Sequence, residues 1–473
     1  MGSMETRPLL LLPEIILFLG GLVVLLSGSF LARDRQWVTR VLAAVALLAA
    51  ATAAATSFAG PAEMAMEGTF AVDVTTGVAR IVAALGALVV LVLAYEEIDG
   101  SPRESETYAL MLFATTGTLI LAGADDLLVV AVGFLLASIP LYGLIGIART
   151  PQAAEAALKT YLIGALFGIL LLAGVTILYG VTATTSYAEI TDRLADAPTG
   201  AVAAGVVAVL AGLMFKAGGV PGHFWVPDAA QGAGGAVAAF LTTIPKVGAV
   251  VAAYRLVATL PDTLPWPLLV GLLAVASMTL GNFAAYWQTD PRRLLGWSTV
   301  SQVGYLLVPV AVAGRSDLAL PSLLLYLAGY TITNLSAFAV TTALPDRRDL
   351  ESYQGVGRAH PWLGASLVVA LLGLVGTPPT ALFVGKLTTT AAAWDAGHAG
   401  LAVAVFVNTV TSLFYYLRWI APTYAQGHPD RSGKPGETRA VIPRPLSCYA
   451  AVVTAVLSIA MGLAADLVWR LVT

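Results

Sequence analysis

Apolar runs recur from one end of the chain to the other, each separated from the next by a short polar turn. A bilayer span needs about 20 mostly apolar residues. Fourteen segments meet that pattern, centred near Phe18, Leu47, Ala84, Thr115, Phe134, Leu170, Ala208, Val250, Leu273, Val303, Tyr326, Leu371, Phe406 and Leu457. The pattern predicts an all-α, polytopic membrane protein of about 14 transmembrane helices, with the lipid bilayer as its first partner. Little chain is left over for a soluble domain. The longest polar stretches, Asp346–Pro361 and Gly427–Pro445, are short and rich in Gly and Pro, so both are expected to be loops.

Composition carries the same message. Of 473 residues, 58% are hydrophobic and 11% charged; leaving out the 16 Tyr and counting the 46 Gly gives about 64% apolar. Soluble domains run at roughly 45–50% and ~25% on that set, and surface-to-volume scaling gives no soluble fold an interior large enough for the excess. The net charge of −3 comes with no basic tract, so nucleic acid is not an expected partner. A lone Cys448 excludes a disulfide framework, a thiolate metal site and an iron–sulfur cluster carried by this chain alone.

Charge in the connections predicts an orientation, since cytoplasmic loops collect Lys and Arg. Loops after odd-numbered spans carry Arg33, Arg35, Arg40, Arg103, Arg149, Arg292, Arg293, Arg347, Arg348, Arg358, Arg431, Lys434, Arg439 and Arg444. Loops after even-numbered spans carry Arg193 and Arg315. Fourteen against two predicts that odd loops are cytoplasmic and that both termini lie outside a cell membrane. The first run has its positive flank after the apolar stretch, the wrong order for a cleaved signal peptide.

Two spans are interrupted. One reads Lys216-Ala-Gly-Gly-Val-Pro-Gly-His-Phe-Trp-Val-Pro-Asp228, the other Gly376-Thr-Pro-Pro-Thr-Ala-Leu-Phe-Val-Gly-Lys386. Proline removes a helix hydrogen bond and glycine loosens the backbone, and broken backbone at membrane depth survives only against protein or a wet cavity. Broken helices at matching places in two halves point to an inverted repeat. The seventh and twelfth spans match, predicting five-helix repeats of spans 4–8 and 9–13. The expected organisation is three N-terminal helices over 1–106, a first repeat over 107–260, an inverted second repeat over 261–425, and a loop with a last helix over 426–473.

The cations are sorted by type. The chain holds 20 Arg and 5 Lys, and four of the five Lys (Lys159, Lys216, Lys246 and Lys386) fall inside apolar spans, while Arg keeps to the loops except for Arg80, Arg255 and Arg418. Arg stays charged in any protein environment, whereas a buried Lys can release its proton. An interior that admits lysine suits a proton relay. The competing reading is snorkelling, in which a Lys near a span end reaches the interface and does nothing; for Lys159, near the start of its span, the two stand level. Lys216 and Lys386 abut the breaks, and Lys246 follows Pro245 in mid-span.

His223, beside the first break, titrates near neutrality and suits proton exchange, or equally caps freed backbone groups. Asp228 balances Lys216 or caps the second half-helix, and Glu14 reads as a helix-start residue. Trp225, Trp287, Trp297 and Trp362 read as interface anchors. His360, His398 and His428 lie in loops without metal-ligand spacing, and no phosphate loop, nucleophile motif or redox-cofactor motif appears.

Four stretches carry a resemblance: Phe215-Lys-Ala-Gly-Gly-Val-Pro-Gly-His-Phe-Trp-Val-Pro-Asp228, Thr242-Thr-Ile-Pro-Lys-Val, Arg293-Leu-Leu-Gly-Trp-Ser-Thr-Val-Ser-Gln-Val-Gly-Tyr305 and Gly376-Thr-Pro-Pro-Thr with Phe383-Val-Gly-Lys386. They resemble the antiporter-like membrane subunits of respiratory complex I, and the likeness runs over the whole chain. It implies a non-redox, proton-translocating module with a central hydrophilic axis, partnered by other membrane subunits. NADH, FMN, iron–sulfur clusters and quinone are then expected in those partners and no cofactor in this chain. By position Lys216, Lys246, Lys386 and Lys159 match the lysines of spans 7, 8, 12 and 6, the family's proton carriers.

Two positions depart from the family. Its span-5 glutamate is missing, with Leu135 and Leu136 in that region, and Gln302 stands where many members have histidine. A carboxylate beside a buried lysine favours its charged form, whereas burial alone favours the neutral one. Two other readings are therefore carried forward: a stand-alone or paired cation/proton antiporter, and a pumping-deficient structural paralogue.

Overall fold

The computed structural model describes residues 7–58, 60–261, 264–425 and 442–473. His428, Arg431, Lys434 and Arg439 lie outside the described residues. Three helices open the chain: α1 (Leu12–Phe30), α2 (Trp37–Phe58) and α3 (Val74–Ile98). Then follow α4 (Glu104–Gly123), α5 (Leu127–Gly146), α6 (Pro151–Thr182), a short α7 (Tyr187–Leu194), α8 (Thr199–Ala217), α9 (Trp225–Gly232) and α10 (Gly235–Ala258). The second half comprises α11 (Trp266–Ala285), α12 (Pro291–Ala311), α13 (Ala319–Ala343), α14 (Val356–Ala359), α15 (Pro361–Val375), α16 (Ala381–Asp395) and α17 (Ala399–Tyr424), followed by α18 (Pro445–Leu463) and α19 (Ala465–Val472). All fourteen predicted centres fall within helices.

Twelve helices among the described residues are long and apolar enough to cross a membrane. The remaining two predicted spans are α4, which carries Glu104, Glu106 and several threonines, and the interrupted segment α15–α16. A small hairpin departs from the all-helical expectation: β1 (Glu63–Ala65) pairs antiparallel with β2 (Phe70–Val72), Met64 opposite Ala71. Three-residue strands are too short to show an alternating pattern in the sequence.

Burial grades from rim to centre. The apolar stretch of α10 is wholly buried, and α12 and α13 nearly so, whereas about a quarter of α1 and of α18 is covered. Rim helices present rows of exposed leucine, valine and phenylalanine, such as Leu158, Leu162, Leu166 and Ile169 on α6. In water such a surface would be an aggregation liability; against lipid it is the ground state.

Three acid-based ties hold α3 to the rest. Glu14, in the first turn of α1 as its Pro13 context predicts, also grips Arg80 of α3: Arg80 Nε and Nη2 donate to its two carboxylate oxygens at 2.8 Å each, with both side chains buried. Removing one partner of such a pair strands a buried charge, at about 3–5 kcal/mol. At the other end of α3, Glu97 accepts the Gly235 and Ala236 N–H groups that open α10, and Glu96 accepts the Leu446 and Ser447 N–H groups that open α18. Adjacent carboxylates thus cap two different helices, where the helix dipole favours negative charge.

Candidate functional site

Both interruptions are built the same way. At the first, α8 ends on Gly218 at φ 86°, with Gly218 N–H donating to Phe215 O and Gly219 N–H to Met214 O. At the second, α15 ends on Gly376 at φ 90°, with Gly376 N–H donating to Gly373 O and Thr377 N–H to Leu372 O. Each is a Schellman-type stop with glycine in the left-handed region, where a side chain is strained. Each stop leaves carbonyls at the end of a half-helix, buried inside the bundle.

The three lysines nearby are held in three different ways. Lys386, on the second turn of α16, reaches back so that Nζ donates to Val375 O at 2.8 Å and Leu374 O at 3.2 Å, a cation on the carbonyl end of α15. Lys246 follows Pro245, which has no N–H to offer Leu241 O four residues earlier; the Lys246 amine takes that freed carbonyl at 2.8 Å. Lys216, in the last turn of α8, donates to Ser138 Oγ of α5 at 2.9 Å. The exposures are 1%, 0% and 5% for Lys216, Lys246 and Lys386, so none of the three snorkels. Aromatic faces complete the surroundings: Phe134 for Lys216, Trp225 for Lys246, and Tyr305 for Lys386 at 3.9 Å from its ring centre.

Hydrogen-bonded groups fill the space between Lys246 and Lys386. Gln302 Nε2 donates to Leu374 O at 2.8 Å, the carbonyl that also holds Lys386, and Tyr326 Oη donates to Gln302 Oε1 at 2.5 Å. Because a carbonyl can only accept, this fixes which end of the amide faces which neighbour. One turn along α13, Tyr330 Oη donates to Thr242 O at 2.7 Å and lies 3.2 Å from Thr299 Oγ1, while Asn334 Nδ2 reaches Thr242 Oγ1 at 3.1 Å. Thr242 is one turn before Lys246 on α10. A belt of buried polar side chains therefore runs across the middle of the second half and into the first.

The remaining predicted residues are placed differently. Lys159 has a half-exposed side chain and bonds Glu155 Oε1 at 2.6 Å and Asp228 Oδ2 at 3.0 Å. Asp228 lies in the first turn of α9, yet its oxygens go to Lys159 and to Arg293 Nη1 (2.5 Å), so it neither balances Lys216 nor caps its helix. These groups line a polar cavity of about 750 Å³ with Glu97, Asp290, Arg292 and Arg348. Burial pushes the Asp290 carboxyl there above its ordinary range, against the Arg293 N–H bond and the Arg348 charge. His223 is buried in the first interruption, its ring against Phe224 and Trp297, and neither ring nitrogen has a hydrogen-bond partner among the described residues.

Two expected anchors are corrected. Trp287 and Trp362 are exposed as interface residues should be, but Trp225 is 1% exposed, because its indole N–H closes on Phe215 O at the end of α8, at 3.0 Å, and Trp297 packs inward against His223 with its indole nitrogen buried. On α5, Leu135 turns to the exposed surface, and it is Phe134 and Ser138 that face Lys216. Ser138 and Tyr330 were not singled out in the sequence, and Tyr326 only as the centre of a span. The available signals were a serine two residues before Pro140 in an apolar run, and the tyrosine spacing of four on α13.

Buried lysines at and between paired helix breaks, two of them with a polar belt between them, define an antiporter-type membrane module. The family model "NADH:quinone oxidoreductase/Mrp antiporter, TM" matches residues 124–412. The NADH-quinone oxidoreductase subunit N of Mycobacterium sp. (strain JLS) is 62% identical over 99% of this chain and 98% of its own length. Subunit N 1 of Streptomyces griseus is 46% identical over 98% of each. Among solved structures, a chain of respiratory complex I from Thermus thermophilus with bound aureothin matches at TM-score 0.81 and 30% identity, covering 97% of this chain and 98% of that one. A chain of the Mrp complex from Dietzia sp. DQ12-45-1b shares the fold at TM-score 0.84 and 24% identity, covering 98% and 96%. The chain belongs to the NADH:quinone oxidoreductase/Mrp antiporter transmembrane family, and within it to the NADH-quinone oxidoreductase subunit N group.

Proposed function

We propose that this chain is the non-redox, proton-translocating subunit N of a complex I-like NADH–quinone oxidoreductase. Protons pass along Lys216, Lys246 and Lys386, with Lys159 and His223 assisting from the polar cavity and the first interruption. The observation that carries this reading is that all three amines are buried and lie on carbonyls or a hydroxyl without a carboxylate partner among the described residues. An amine held that way can exist charged or neutral, which a fixed ion pair would resist. Buried polar atoms of His223, Trp297, Tyr305, Asn334 and Thr389 that have no partner among the described residues are where internal water would bond and link the carriers.

The driving force comes from redox chemistry in partner subunits, which hold the NADH, FMN, iron–sulfur and quinone sites; this chain supplies membrane-spanning conduction. The complex lies in the inner membrane with both termini of this chain outside, as the distribution of loop arginines supports. The repeats run over 107–260 and 261–425, a pairing supported by the shared architecture of the two stops. Replacing Lys216 by Met in the assembled complex tests the relay. Redox-driven proton uptake into proteoliposomes should fall to background, and wild-type uptake with normal assembly would defeat the assignment.

A further inference from the structure

Lys246 and Lys386 rest on backbone carbonyls, which accept hydrogen bonds and never donate them. Lys216 alone of the three rests on a hydroxyl, at 2.9 Å. Ser138 Oγ in turn lies 2.6 Å from Phe134 O of its own helix, so its proton is donated there and its lone pair is offered to the ammonium. When the amine is neutral it has a lone pair of its own. The same hydroxyl can then rotate and donate to Nζ, releasing Phe134 O. A carbonyl cannot make that exchange, and a carboxylate holds the amine charged.

We propose that Ser138 is the positioning residue that makes Lys216 the proton-loading amine of the first half, by hydrogen-bonding it in both protonation states. The proposal rests on the relay reading above and names the α5 group that Lys216 meets in this chain, where the glutamate expected from the family resemblance is absent. A bond from serine to the carbonyl four residues back is common in helices and needs no function. Here, however, Ser138 is buried (1% exposed) and is the side chain to which the equally buried Lys216 donates, so the hydroxyl serves two bonds at once.

The experiment is redox-driven proton uptake by the assembled complex in proteoliposomes, recorded against pH for Ser138→Ala, Ser138→Thr and Ser138→Asp. Ser138→Ala should lower the initial uptake rate by about tenfold, the scale of one lost hydrogen bond to a charged group. Ser138→Thr keeps the hydroxyl and should stay near wild type. Ser138→Asp replaces it with an acceptor that favours the charged amine, so uptake should move to higher pH. Wild-type uptake in Ser138→Ala, or an unmoved pH profile in Ser138→Asp, overturns the proposal. Lys216→Met in the same assay separates the two ideas. If it pumps normally the relay itself falls, and if it fails while Ser138→Ala pumps normally only the serine's role is lost.

Discussion

The two helix breaks share a stop but not an anchor. At the second, Lys386 is held by the broken span itself: Gly376 turns the chain and the carbonyls of Leu374 and Val375 receive the amine. At the first, Lys216 leaves its own span and takes a hydroxyl from a neighbouring helix, while Trp225 closes a carbonyl of α8. The second site is therefore set by one local piece of backbone, and the first by how α5 packs beside α8. Local backbone resists sequence change, whereas a borrowed side chain can be exchanged.

Three measurements would break or sharpen the contrast. The largest effect is expected at the stop glycines. A Cβ on Gly376 would stand 2.8 Å from Lys386 Cδ, whereas one on Gly218 would meet Val226 at 2.7 Å and lie 3.5 Å from the Lys246 amine. Each substitution by Ala also carries the left-handed strain of about 1–2 kcal/mol. Gly376→Ala should thus lower the melting temperature and abolish proton uptake together, while Gly218→Ala should lower melting with a smaller loss of uptake. Equal losses of uptake would show that both lysines depend alike on their local backbone. Next comes Gln302→Leu, which strands the Tyr326 hydroxyl and removes a bond to Leu374 O, a cost of about 1–3 kcal/mol in thermal stability. It should slow uptake without abolishing it, since Lys386 keeps Val375 O.

The smallest effect is at the edge of the first half. Burial raises the Asp125 carboxyl above its ordinary range, with Arg255 opposing and Asp73 and Asp126 adding to the rise. A carboxyl whose pKa is higher folded than unfolded contributes stability that is present below its ordinary value, near 3.9, and lost as pH rises through the raised one. Asp125→Asn should therefore raise the melting point slightly at pH 7 and give no gain near pH 3. A gain that persists in acid would mean packing, not charge, is responsible.

Much of this architecture was legible in the chain. Fourteen apolar runs became fourteen helical centres, and glycine with proline at 218–221 and 376–379 marked both breaks, because lipid punishes any other backbone choice. The three lysines were legible for the same reason. What was hidden is pairing: Glu14 read as a helix start and proved half of a buried ion pair, Trp225 read as an anchor and proved a lid, and Ser138 was one serine among many. Each depends on which helix packs against which. No periodicity within one span encodes that.

The adjacent carboxylates at the end of α3 give the first three helices a standing that a repeat-based description would miss. Glu97 secures the start of the helix bearing Lys246, and Glu96 the start of the last span, so a strut from the first three helices fixes the helix of one buried lysine and the chain's closing helix. A shortened relative lacking residues 1–106 would leave two helix beginnings unsheathed. It would have to borrow acids from another subunit, and that need would decide which neighbour it could accept.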